Sequence, residues 1–376
     1  MKSWNVEICD VTLRDGEQTP GVSFSCEEKV RIAEVLDQIG VEVIEAGFPI
    51  TSPYEKHCVR TIAHQGLDAR ICCLARARKG DVEAAIDCDV DMVSIFIPTS
   101  DLHIQHKFHK PREQVLEEAL DMIDLTHDHG VPVRFAAEDA SRTDLSFLLE
   151  VYRQGEDHGA DLLSFADTVG ALTPLEMYET MKVLVATVHR PLCAHCHNDM
   201  GMATANTLAA AAAGAFQLHT TVNGIGERAG NAALEEVLVA LYMKGGVDRY
   251  DLAHLTALSR MVTQYSGVPI DRLKPVVGDH AFRHESGIHI AAILEDTATY
   301  EFFPPSLVGA ERKFTLGKHT GRKALEHEVA RLGYHLDEPQ ICRVLEMVKE
   351  RGEKKVDLTD ETLIDLIKLV TEGPGW

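Results

Sequence analysis

Eight short β-branched or apolar runs, each followed by helical patterning or a loop, constrain this 376-residue chain more than any other feature. The runs cover residues 6–13, 41–48, 69–75, 92–98, 132–138, 162–167, 191–197 and 217–223. Apolar spacing between them predicts amphipathic helices, clearest over 26–38, 112–128, 144–158, 174–188 and 203–213. Gly40, Gly130, Gly159 and Gly214 stand at the helix ends, where left-handed caps belong. Strands that alternate with helices pair in parallel, and eight is the number that closes a barrel. The expected fold class is therefore α/β, a (β/α)₈ TIM barrel. The alternative, an open doubly wound sheet, needs a glycine fingerprint after its first strand. The chain reads Leu13-Arg14-Asp15-Gly16-Glu17-Gln18 there instead.

The pattern changes near residue 270. A barrel takes about 250 residues, so the domains read as 1–270, the barrel, and 271–376, a mainly helical extension. Residues 274–289 are polar and glycine-punctuated. Helical patterns follow over 322–332, 339–351 and 361–370.

Composition removes several classes. Apolar residues make up 45% and charged residues 26%, enough for a sizeable core. No run approaches 18 apolar residues, so no membrane span is expected. The Met1-Lys2-Ser3-Trp4 start lacks the apolar stretch of a secretory signal, which points to the cytoplasm. A formal net charge of −22 argues against nucleic acid as a partner. Nine scattered cysteines argue against a disulfide framework. Cys193-x-x-Cys196 has the spacing of half a zinc or redox motif, but positions three apart on a strand point to opposite faces.

In a barrel of this kind the chemistry sits at the C-terminal strand ends. Polar residues gather there: Arg14-Asp15, Glu45, Glu138-Asp139, Asp167-Thr168, His195-Cys196-His197-Asn198-Asp199 and Asn223-Gly224. His195-x-His197 is the strongest signal. Alternate strand residues share a face, so both imidazoles can reach the barrel mouth. Two imidazoles and one carboxylate form a common catalytic metal set with open positions, and Asp15 is the best-placed carboxylate. Arg14 could stabilise an oxygen that becomes negative during carbonyl attack, or make a rim salt bridge. Glu138 could position water or move a proton, or orient Arg14 or a histidine. Glu45 reads as structural. Residues 223–231 have the look of a phosphate loop without its spacing, though their N–H groups could meet an anion. His103, His106, Lys107, His109 and Lys110 offer either a landing site for carrier phosphates or a solvated loop.

These residues also carry a resemblance. Asp10-Val-Thr-Leu-Arg-Asp-Gly-Glu-Gln18 resembles one signature of the superfamily of isopropylmalate, homocitrate and citramalate synthases and their lyase relatives. His195–Asp199 with Gly201, Ala203 and Asn206 resembles a second. Residues 223–231, 284–289 and 316–321 resemble further blocks, in order along nearly the whole chain. The resemblance implies a divalent metal (magnesium, manganese or zinc) on Asp15, His195 and His197, with Asn231 near or on it. It implies a 2-oxo acid that chelates the metal, and acetyl-CoA that loses a methyl proton and attacks the keto carbon. Loss of CoA by hydrolysis would follow. Arg14 would serve the developing alkoxide and Thr168 would grip the substrate carboxylate. His284, with Tyr300 as partner, would supply the base, lent across a homodimer with shared active sites.

Arg134, four residues before Glu138, matches a carboxylate-binding arginine of lysine-pathway homocitrate synthases and could meet a dicarboxylic 2-oxo acid. Isopropylmalate synthases of this kind carry a further regulatory domain that these 376 residues do not include, which also favours homocitrate synthase. Asp15 in place of glutamate, Leu74 in place of histidine and Ala136 in place of serine depart from the lysine-pathway enzymes. Residues 137–142 and 207–214 are nearer the homocitrate synthases of nitrogen fixers and methanogens. 2-Oxoglutarate is therefore the favoured substrate, in amino-acid biosynthesis, with 2-oxoisovalerate (isopropylmalate) and pyruvate (citramalate) as alternatives. The rivals are a lyase on the same barrel, a non-catalytic metal-binding protein and a NAD-linked oxidoreductase.

Overall fold

A computed structural model describes residues 3–354, 356 and 358–373. They fall into two compact units that divide after Ile270.

The first unit is a closed barrel of eight parallel strands, β1 Glu7–Asp10, β2 Val43–Glu45, β3 Arg70–Arg76, β4 Met92–Pro98, β5 Val133–Glu138, β6 Leu162–Asp167, β7 Leu192–Cys196 and β8 Gln217–Thr220. β8 returns to β1, with Glu7 beside Gln217 and Asp10 beside Thr220. Its helices are α1 Cys26–Ile39, α2 Pro53–Ala63, α3 Lys79–Ile86, the single turn α4 Asp101–His103, α5 Arg112–Asp128, α6 Leu145–Asp157, α7 Pro174–Thr187, α8 Ala203–Ala213, α9 Leu234–Ala240 and α10 Leu255–Ser266. The chain stops and starts these helices with local chemistry. Ser25 and Glu28 form a reciprocal cap on α1, as do Thr173 and Glu176 on α7. Gly40 ends α1 and Gly214 ends α8 with φ of 93° and 108°.

All eight strand runs are present, but β1, β2 and β8 end three residues early and β7 one. β1 stops at Asp10 because the next residues curl: Arg14, Asp15 and Gly16 all donate their N–H to Val11 O, at 3.2, 2.8 and 3.1 Å. β2 ends at Glu45 and β8 at Thr220. Arg14, Asp15, Asn223 and Gly224 therefore sit on turns above the barrel, while Glu45, Glu138, Asp167 and His195 remain on strands. Helices α2, α3, α9 and α10 were not among the clear sequence patterns. α3, Lys79–Ile86, is only eight residues long and weakly amphipathic.

Inside the barrel, Cys9, Val43, Cys72, Met92, Leu162 and Cys193 pack together. Cys193 lies in this cluster, while Cys196, three residues on, points to the opposite face and meets Thr207 on α8. Every cysteine is a free thiol, so the pair forms no bridge.

The second unit has a two-stranded parallel sheet, β9 Arg283–His284 and β10 Lys313–Phe314, with helices α11 Gly287–Glu295, α12 Arg322–Arg331, α13 Glu338–Glu353 and α14 Asp360–Thr371. Ile290, Leu325, Val329, Val344, Val348, Leu366 and Ile367 form its core. α11 begins within the stretch that the sequence reads as polar and irregular.

Candidate metal centre and active site

Asp15, His195 and His197 converge. They are 2%, 7% and 6% exposed. His195 Nε2 and His197 Nε2 are 3.0 Å apart, and Asp15 Oδ2 is 3.4 and 3.8 Å from them. Their donor atoms all lie within 4.8 Å of one another, the one such cluster among the described residues. Strand-like alternation, carried from His195 in β7 to His197 one residue beyond it, brings both imidazoles inward. Asn231 completes the ring: its Nδ2 donates to Asp15 Oδ1 at 3.0 Å, while its Oδ1 is buried without a partner. Two nitrogen lone pairs, a carboxylate and an orphaned amide oxygen suit a divalent cation.

The approach is tight. A Cβ on Gly226 would lie 2.1 Å from Asn231 Nδ2 and 2.9 Å from Asp15 Oδ1, so a side chain there would push the ring apart. Burial works against ionisation of Asp15, but Arg14 and the imidazoles hold its carboxyl well below the usual range. Burial, and then repulsion by His195, pushes His197 down to about 3. A neutral imidazole is the form that binds metal.

Arg14 joins this ring to the barrel interior. Its Nη1 meets Asp15 Oδ2 at 2.8 Å and its Nε meets Glu45 Oε2 at 2.6 Å. Glu45, read from sequence as structural, is fully buried and pairs on its other oxygen with Arg134. Burial opposes charge on Glu45, and the two guanidiniums overcome it. Arg134 is 1% exposed. It donates Nε to Ser94, Nη1 to Cys9 and Gln217, and Nη2 to Glu45, which leaves one Nη2 N–H of its five donors. For the dicarboxylic 2-oxo acid that the sequence suggested, Arg134 thus has a single N–H to offer.

Glu138 ends β5, and Lys107 Nζ holds both its oxygens at 2.6 and 2.8 Å. Lys110 is likewise paired, with Glu118. These two cations of the expected phosphate-landing stretch therefore already have carboxylate partners. Thr168 Oγ1 accepts from Asp139 N at 2.8 Å, leaving its hydroxyl hydrogen to donate. In loop 223–231 the backbone N–H groups of Gly224, Gly226, Gly230 and Asn231 all bond within the protein, so they are not open to an anion as the sequence suggested.

In the second unit, His284 and Tyr300 line one cavity of about 320 Å³ with Phe282, Glu301, Phe302 and Phe303. Burial lowers the His284 pKa, against the pull of Glu301, whose Oε1 is 3.7 Å from Nε2. Tyr300 stacks on His289 with ring centres 4.1 Å apart.

Two residues escaped the sequence reading. His219 lies beside His195, with ring centres 5.4 Å apart, and strand alternation in Gln217-x-His219 could have found it. Lys107 was seen only as part of a basic run.

An HMGL-like family model matches residues 5–262, and a model described as homocitrate synthase post-HMGL domain-like matches 276–356. Homocitrate synthase AksA of Methanosarcina acetivorans is 54% identical over 98% of this chain and 91% of its own. The chain belongs to the homocitrate synthase and 2-isopropylmalate synthase family. Another member, the (R)-citramalate synthase CimA of Methanocaldococcus jannaschii, is 45% identical over 97% of this chain and 75% of its own. Among solved structures, a Bacillus subtilis HMG-CoA lyase superposes on 72% of the chain and 97% of its own length with a TM-score of 0.65 at 20% identity, a likeness of fold. Like its relatives this family member is a transferase enzyme. No described helix is long and apolar enough to cross a membrane.

Proposed function

We propose that the chain condenses acetyl-CoA with 2-oxoglutarate and water to give homocitrate and CoA. The convergence of Asp15, His195, His197 and Arg14 carries the chemistry, and the 54% identity to a homocitrate synthase over nearly the whole chain supports the substrate. Asp15, His195 and His197, with Asn231 Oδ1, would hold a divalent cation: magnesium, manganese or zinc. When bound, the cation supplies Lewis acidity toward a keto oxygen.

The chain's own groups do the rest. Arg14 is fixed by two carboxylates and keeps uncommitted N–H groups for an oxygen that gains negative charge. Thr168 Oγ–H donates to the 2-oxo acid carboxylate. The last Nη2 N–H of Arg134 serves the distal carboxylate. Glu138, oriented by Lys107, positions the water or relays a proton. His284, kept neutral by burial, takes the methyl proton of acetyl-CoA with Tyr300 beside it. In this reading the 271–376 unit lends these two groups from a second copy, in a cytoplasmic homodimer.

One observation favours a second reading. Leu74 is apolar and Arg134 nearly sealed, which would suit pyruvate or 2-oxoisovalerate, and so citramalate or isopropylmalate synthesis. Release of free CoA thiol with each of the three 2-oxo acids decides between them. Release chiefly with 2-oxoglutarate supports homocitrate synthesis, and release only with another acid rejects it.

A further inference from the structure

Lys29 takes no part in the chemistry above, yet it is completely buried in α1. A buried ammonium stays charged only where its three N–H groups all find acceptors. Here they find three segments. Lys29 Nζ lies 3.3 Å from Leu13 O, 2.6 Å from Glu17 Oε2, and 2.9 and 2.7 Å from the two oxygens of Glu55. Burial pushes the lysine pKa down, and Glu55 and Glu17 more than reverse that.

Each acceptor is tied onward to a turn that carries a site residue. Leu13 immediately precedes Arg14. Glu17 follows Asp15 by two residues, and its Oε1 accepts from Phe24 N at 2.8 Å. Glu55 Oε1 accepts from Phe48 N at 3.1 Å, three residues after Glu45. Gly47 makes this last link possible. A Cβ there would sit 1.9 Å from Glu55 Oε1, at a φ of 156° that favours glycine. The ammonium therefore grips the β1 turn on both sides of Arg14-Asp15 and, through Glu55, the β2 turn. Arg14 of the first turn reaches Glu45, the last residue of β2 before the second, at 2.6 Å.

We infer that Lys29 is a positioning residue, a buried clamp that holds Asp15 and Arg14 in register with the histidine pair of β7. This rests on the metal site proposed above. Lys29→Met leaves Glu17 and Glu55 without their cation and is expected to lower stability in either role. Mn²⁺ affinity and kcat, not Tm, therefore separate positioning from packing.

The test uses the full-length protein stripped of metal, with Mn²⁺ affinity, kcat, KM and Tm measured for Lys29→Met and Glu17→Gln. Lys29→Met is expected to bind Mn²⁺ about 10- to 100-fold more weakly, as when outer partners of metal ligands are removed. Its kcat should fall in parallel while KM for acetyl-CoA stays within about twofold, the pattern of a lost positioning contact. Glu17→Gln, which loses one leg of the clamp, should show the same pattern more weakly, and it serves as the deciding variant if Lys29→Met fails to fold. A folded variant with a lower Tm but wild-type Mn²⁺ affinity and kcat would overturn the clamp. His195→Ala is the control: if it binds Mn²⁺ as wild type does, the metal reading has failed rather than the clamp.

Discussion

Asn231 gives its amide N–H to Asp15 Oδ1 at 3.0 Å and leaves its own Oδ1 buried with no partner. A buried amide oxygen without a donor is costly, and a cation between it and the imidazoles would satisfy it. Asn231→Ala removes both the oxygen and the contact that orients Asp15. Metal affinity should weaken by about 10- to 100-fold, measured by titration of stripped protein. An unchanged affinity would remove Asn231 from the site.

Arg14 holds Asp15 and Glu45 with different nitrogens of one planar group, which a lysine cannot copy. Arg14→Lys should therefore lower kcat by about 10²- to 10³-fold, the usual cost of losing a preorganised donor to a developing oxyanion. KM for the 2-oxo acid should change far less. Steady-state kinetics would contradict this if KM rose and kcat held.

Asp10 is fully buried in β1, and burial raises its pKa to about 7, with hydrogen bonds from Thr12 opposing the shift. The folded pKa lies above the unfolded one. Its contribution to stability is therefore complete below pH 3.8 and is lost as pH rises through about 7. The loss is on the order of a few kcal/mol. Asp10→Asn, which carries no charge, should be less pH-sensitive. Urea midpoints should show the wild type losing ground to the variant between about pH 4 and 7. Parallel curves would contradict the assignment.

Arg134 and Glu45 neutralise each other with almost no solvent access. Arg134→Met leaves Glu45 with Arg14 alone, and breaking a buried pair on one side costs about 3–5 kcal/mol. If the remaining N–H of Arg134 meets a distal carboxylate, kcat/KM for 2-oxoglutarate should fall at least about tenfold more than for pyruvate. Equal losses would make Arg134 purely a core charge.

Much of this was legible in sequence because local rules carried it. Strand runs and helix periodicity marked the barrel, and His195-x-His197 marked the converging imidazole pair through alternation alone. Glu45 and Lys29 were not legible. Glu45 meets Arg14 and Arg134 from 31 and 89 residues away, Lys29 meets Leu13 and Glu55 from 16 and 26 residues away, and no local pattern encodes such pairs. Loop 223–231 misled for the opposite reason. Its glycines suggested an open anion cradle, but Gly226 is needed for close approach to Asn231, and the amides are bonded internally. α11 was missed because Gly287 and the polar residues before it masked a helix that packs Ile290 and Ile293 inward.

The central claim is that Asp15, His195 and His197 share one cation on which turnover depends. The direct measurement is CoA thiol release from acetyl-CoA and 2-oxoglutarate after treatment with a chelator, before and after divalent cation is restored. The account predicts background release after chelation, recovery with added cation, and no recovery in His195→Ala. Full turnover by thoroughly stripped enzyme would contradict it.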